Sequence, residues 1–160
     1  MNDYPTTLKE LKAMENVRRS KMDMPLLVRT TKWHKWRAIE SWITESPWGR
    51  IGIAIGAIIN QATGVTNLWD AAGCASHDEL YKHHINFDGV VLTKIQADLA
   101  YRWVNERSAY RWNRFWAAAR YRGVRILGVF SWTKPKPILP EMKHLYKATP
   151  FNEEAERKED

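Results

Sequence analysis

Cysteine is nearly missing. Cys74 stands alone in 160 residues, which excludes an intrachain disulfide and any metal site built on several thiolates. Catalytic signatures are missing too. The chain has no G-x-x-x-x-G-K-[ST] loop, no G-x-G-x-x-G after a strand, no H-E-x-x-H and no G-x-S-x-G, so the chemistries that those motifs serve have no anchor. Asp98 and Glu106 stand eight apart on one expected helix, a spacing that suits salt bridges to basic neighbours and lacks the convergence of an acid–base pair. Asp3, Pro5 and Glu10 precede any apolar run, so neither a cleavable secretory signal nor an acid-poor transit peptide is expected. No catalytic residue and no cofactor is therefore assigned.

Charge is missing from one long stretch. Nineteen residues without a formal charge lie between Arg50 and Asp70, in a chain that is 27% charged. Ser46 fits an N-cap and Pro47 the first helical position. A helix from Pro47 to Trp69 would be roughly 34 Å long, enough to cross a hydrocarbon core. On it Gly52, Gly56, Asn60, Thr63 and Asn67 share one narrow face for close packing and hydrogen bonding to a neighbouring helix. Trp48 and Trp69 mark its two ends, where interfacial aromatics belong. The expectation is a membrane-embedded helix over 47–69. Its alternatives are a buried helix in a soluble assembly and a β-strand, because I-G-I-A-I-G alternates with period two. Arg29, Lys32, Lys35, Arg37 and Arg50 precede the stretch, whereas mainly acidic residues follow it. The positive-inside rule would put the N-terminal side in the cytoplasm or matrix.

What the chain has in abundance is tryptophan and positive charge. Nine tryptophans and a net charge of +7 favour interfaces and anionic partners. Thr7-x-x-Glu10 has capping-box spacing and opens a helix to about Ser20. A second helix reads from Thr31 to Thr44, with Trp33 and Trp36 as interfacial anchors among basic residues. Ser76-x-x-Glu79 opens a short helix to His84, and Asp88-Gly89 marks a turn. Cys74, His77, His83 and His84 cluster in this region, at intervals that match no standard zinc module.

Thr93-x-x-Gln96 caps the longest helix, from Lys94 to about Tyr121, with Gly123 as its C-terminal cap. Arg102, Trp103, Arg107, Arg111, Trp112, Arg114, Trp116 and Arg120 form its candidate contact set for a partner, lipid or nucleic acid, although neither rings nor arginines keep to one face. Val124–Trp132 reads as a strand, a buried extended segment or an interfacial anchor, and K-P-K-P-I-L-P as an extended spacer.

The expected architecture is thus mainly α. An amphipathic arm over 1–45 leads to the membrane helix within 46–70. A helical region over 71–133 carries the helix 94–121, and a Pro-rich segment and charged tail fill 134–160. In type, the composition resembles the small basic accessory subunits of respiratory complexes or of ATP synthase. The function expected is that of a non-catalytic structural subunit of a multi-subunit membrane complex, in the mitochondrial inner membrane. Its partners would be other protein subunits and anionic lipid headgroups, with no small-molecule substrate. The alternatives are an RNA-binding component of a ribonucleoprotein, with nucleic acid as the partner, and a small metal-dependent enzyme built on Cys74 and the histidines.

Overall fold

The structure is a computed structural model and describes residues 4–10, 27–30, 35–60, 71–108 and 111–146. Among the described residues two small antiparallel sheets are followed by three helices beyond residue 70. Strands β1 (Leu27–Arg29), β2 (Lys35–Ala38) and β5 (Ile58–Asn60) form one sheet in the order β1-β2-β5. Strands β3 (Trp42–Ser46) and β4 (Gly49–Ile53) form a hairpin, with Ser46 opposite Gly49 and Trp42 opposite Ile53. Helices α1 (Ala71–His83), α2 (Lys94–Glu106) and α3 (Arg111–Leu127) follow, then 3-10 turns at Gly128–Phe130 and Pro140–Leu145. Helix α2 packs on both α1 and α3, while α1 lies on β4 and β5.

Over its described part, residues 51–60, the uncharged stretch is two strands and the turn between them, and this overturns the membrane helix. Ser46 accepts from the Trp48 N–H through its hydroxyl and donates to the Gly49 carbonyl, closing a two-residue turn over Pro47 and Trp48. Gly49 follows at φ +78°, a conformation that costs glycine nothing. Ile51 and Ile53 then point inward with no exposed surface. The alternation holds within β4, where burying each of these two isoleucines is worth roughly 2 kcal/mol, and it stops at Ile55, which is exposed in the turn beyond the strand. Gly52 sits at φ +152°, where a Cβ would lie 1.9 Å from the Trp42 carbonyl oxygen. The glycine thus lets two strands approach, and no helix–helix contact is involved. Gly56 lies in the turn before β5, and Asn60 ends β5. Thr63, Asn67 and Trp69 lie outside the described residues. Among the described residues no helix is long and apolar enough to cross a membrane, so the orientation drawn from positive-inside counting has no span to act on.

Of the helix expected over Thr31–Thr44, residues 31–34 lie outside the described residues and the rest is replaced by β2, a bend and β3. In β3, Trp42, Ile43 and Thr44 are aromatic or β-branched and fit a half-buried pleated surface, whereas β2 has only Trp36 of that kind. Trp36 is half-buried in β2, and Trp33 lies outside the described residues. Trp48 is fully buried, donates Nε1–H to the Pro5 carbonyl at 2.9 Å and meets Trp103 edge-on at 6.4 Å. It is a core residue and no interfacial anchor.

The expected helix 94–121 is two helices, interrupted at Arg107–Ser108. The Thr93/Gln96 capping box opens α2. At its other end Arg107 stacks its guanidinium 4.0 Å from the Trp103 ring centre and caps the last turn. Gly123 lies inside α3, and Val124–Trp132 continues as helix and 3-10 turn where a strand was expected. Helix α1 begins at Ala71, five residues before the expected N-cap, and Ser76 donates back to the Ala72 and Gly73 carbonyls. The Thr7/Glu10 box is present, and residues 11–20 of that expected helix lie outside the described residues.

Two apolar clusters make the core. One joins Ile53, Ala54 and Ile59 of the sheets to Ala75, Phe87, Ile138, Met142 and Tyr146. The other joins Trp48 and Ile51 to Leu80, Leu92, Leu99, Trp103 and Val104 of the helical layer. Arg50 pins the hairpin to the turn after α1, through bonds of 2.9 Å from its backbone N–H and Nε to Asp88 and from Nη2 to the Phe87 carbonyl.

Candidate docking face

Helix α3 is oriented by a carboxylate on its neighbour. Asp98 of α2 is fully buried. Its Oδ2 accepts from Lys94 Nζ at 2.7 Å and Arg125 Nη1 at 2.9 Å, and its Oδ1 accepts from the Tyr81 hydroxyl at 2.5 Å and faces His77 Nε2 at 3.2 Å. All three helices therefore meet at one anion. Burial alone would raise the Asp98 carboxyl, but the hydrogen bonds from His77, Lys94, Tyr81 and Arg125 outweigh it and hold the group below the ordinary carboxylate range. Tyr81 moves the other way. Burial, the hydrogen bond to Asp98 and the charge of Asp98 push its phenol well above the usual value.

The chain closes over this network where α3 ends. A Cβ on Gly128 would stand 2.3 Å from the Tyr81 hydroxyl and 3.3 Å from Lys94 Nζ. Trp132 then packs edge-on to Tyr81 at 4.9 Å and stacks on His84 at 3.7 Å. Arg102 of α2 places its guanidinium over the Tyr121 ring of α3 and pairs with Glu106 at 2.8 Å. Ala117 is buried against the body of the protein. These contacts fix the rotation of α3 about its own axis.

That rotation turns a stripe of large apolar side chains outward. Trp112, Phe115 and Trp116 are exposed and touch one another, with ring centres 5.3 to 6.3 Å apart. Ile126 and Leu127 continue the stripe, and Val129 and Phe130 extend it into the 3-10 turn; Phe130 is 85% and Ile126 70% exposed. At 3.6 residues per turn Trp112, Phe115, Trp116, Ala119, Gly123, Ile126 and Leu127 fall within about 120° of circumference. Arg111 and Arg122 border one edge of this arc and Arg120 the other. A contiguous exposed apolar face of this kind marks a surface that meets a partner.

The eight residues of the expected contact set divide. Trp103 and Arg107 are buried against each other, and Arg102 is engaged with Glu106 and Tyr121. Trp112, Trp116 and Arg111 are exposed; Arg114 is half-buried and donates to the Ser108 carbonyl at 2.7 Å; Arg120 is half-buried. Phe115 joins the face from outside that set, as do Ile126, Leu127, Val129 and Phe130 of the segment 124–132. The signal that finds them is the helix break. With 94–121 read as one helix the rings scatter, whereas α3 on its own, running on to Leu127, gathers them.

The four residues considered for a metal do not converge. Cys74 is buried in the core beneath the sheets. His77 is committed to Asp98, and His84 stacks on Trp132, where burial lowers its basicity. His83 bridges Glu79 at 3.1 Å and the Lys136 carbonyl at 2.8 Å, tying the proline-rich segment to α1. Among the described residues no three His, Cys, Asp or Glu side chains are grouped as a metal ion requires. No protein-family model, curated protein or solved structure matches the chain.

Proposed function

We propose that the protein is a non-catalytic accessory component that works by attachment, with the outward face of α3 and its 3-10 turn as the docking surface. One observation carries this reading: the largest exposed apolar side chains after residue 110 lie side by side on a helix whose opposite face is locked to the body of the protein. An apolar face left in water costs free energy that contact with a partner recovers, at roughly 25 cal/mol per Å² removed from solvent.

The test is the size of the native protein in a detergent-free lysate of cells that make it. The wild type sediments with larger particles or membranes, and a W112S/F115S/W116S variant is released. A wild type that runs free as an 18.8 kDa monomer overturns the reading.

A further inference from the structure

The charge around the docking face says what covers it. From Arg107 to Pro140 the sequence holds eight basic residues (Arg107, Arg111, Arg114, Arg120, Arg122, Arg125, Lys134 and Lys136) and no Asp or Glu. The remainder of the chain holds 17 basic against 18 acidic residues, so the whole net positive charge of +7 belongs to this one segment. Of these basic residues Arg107 is turned inward against Trp103 and Arg125 is bound to Asp98. Arg111 and Arg122 are exposed beside the apolar stripe.

We propose that this face rests on an anionic phospholipid bilayer, with the apolar stripe at the boundary between headgroups and acyl chains and the bordering arginines on lipid phosphates. This rests on the attachment reading and names its partner. Three features select the bilayer. The stripe runs along the helix for about 22 Å, as a helix lying in the interface plane requires. Arg111 and Arg122 stand exposed along one edge and the half-buried Arg120 lies on the other, where a bilayer supplies phosphate along the whole border and a protein partner would need carboxylates at matching intervals. The stripe ends in Trp112 and Trp116 at one end and the protruding Phe130 at the other, side chains suited to the interfacial zone.

A second copy is disfavoured by the same charges. An antiparallel pair centred on Tyr121 would set Ala119 against Gly123, but it would also set each Arg120 against the other copy's Arg122 with no carboxylate between them.

Co-sedimentation of the purified full chain with vesicles tests the proposal. The protein binds vesicles of phosphatidylcholine mixed with phosphatidylserine and leaves vesicles of phosphatidylcholine alone largely unbound. Added salt weakens the binding, as an electrostatic contribution demands. Each of R111Q and R122Q lowers the apparent affinity about fivefold. W112S/F115S/W116S abolishes sedimentation while its thermal unfolding stays that of the wild type. Absence of binding to the phosphatidylserine vesicles overturns the proposal, as does undiminished binding by the triple variant. Binding of a single-stranded RNA oligonucleotide in preference to these vesicles also overturns it. If vesicle binding fails while the lysate experiment still shows release of the triple variant, the lipid assignment falls and the attachment reading stands.

Discussion

Asp98 on α2 and Arg125 on α3 meet with Oδ2 and Nη1 2.9 Å apart, and this contact decides which side of α3 faces water. From α3 Arg125 reaches the buried anion, and Lys94 Nζ, on the same carboxylate oxygen, also lies 3.5 and 3.4 Å from the Val124 and Arg125 carbonyls. The outward apolar stripe is therefore a consequence of an inward salt bridge.

Removing the carboxylate strands Lys94 and Arg125 against a neutral group. D98N is expected to lower the free energy of unfolding by about 3 kcal/mol, the scale seen when one partner of a buried ion pair is deleted. Urea unfolding of wild type and variant measures it.

The same carboxylate sets an acid limit on stability. Its pKa is lowered in the folded protein, so its contribution is fully present above the unfolded value of about 4 and is lost as pH falls through the lowered folded value. The difference between wild type and D98N should therefore be constant at neutral pH and narrow on acidification below about pH 4. Tyr81 has the opposite sign. Its raised value gives stability that is fully present below the usual tyrosine value of about 10 and is lost as pH rises beyond it toward the folded value. Y81F removes that alkaline loss.

Two glycines of the α3 region are predicted to respond oppositely to the same substitution. G128A drives a methyl group into the Tyr81 hydroxyl and should cost about 2 kcal/mol, in the range for overpacking. G123A meets nothing within 4 Å and should stabilise the helix by up to about 1 kcal/mol, the helix-propensity gain of alanine. Thermal unfolding of the two variants separates them by sign.

Tryptophans should divide in the same way by location. W48A removes a fully buried ring and its hydrogen bond to Pro5, at a cost of about 4 kcal/mol. W112A, on the exposed stripe, should change stability by less than about 0.5 kcal/mol. Chemical denaturation of both variants checks the contrast.

Part of this structure was legible in the sequence because part of it is written locally. The capping boxes at Thr7/Glu10 and Thr93/Gln96 and the turn at Asp88-Gly89 each depend on residues a few positions apart, and each is present. The Asp98 salt bridge between helices followed from its position among basic neighbours. The stretch after Ser46 misled because an N-cap followed by proline also begins a two-residue hairpin turn, and lack of charge describes a buried strand as well as a membrane helix. The isoleucine alternation was the informative feature, and what gave it force was a tertiary partner, Trp42 to Ser46 in β3, that no local pattern names. The docking face stayed hidden for a different reason. Arg107 folding back on Trp103 ends α2 and resets the phase of every ring that follows.

Quenching of tryptophan fluorescence by brominated lipid tests the docking face most directly. With vesicles of phosphatidylserine and brominated phosphatidylcholine, the full chain should lose fluorescence from Trp112 and Trp116, seen as a difference from a W112F/W116F variant that still binds. Equal quenching of the two proteins, or none in either, would contradict the account.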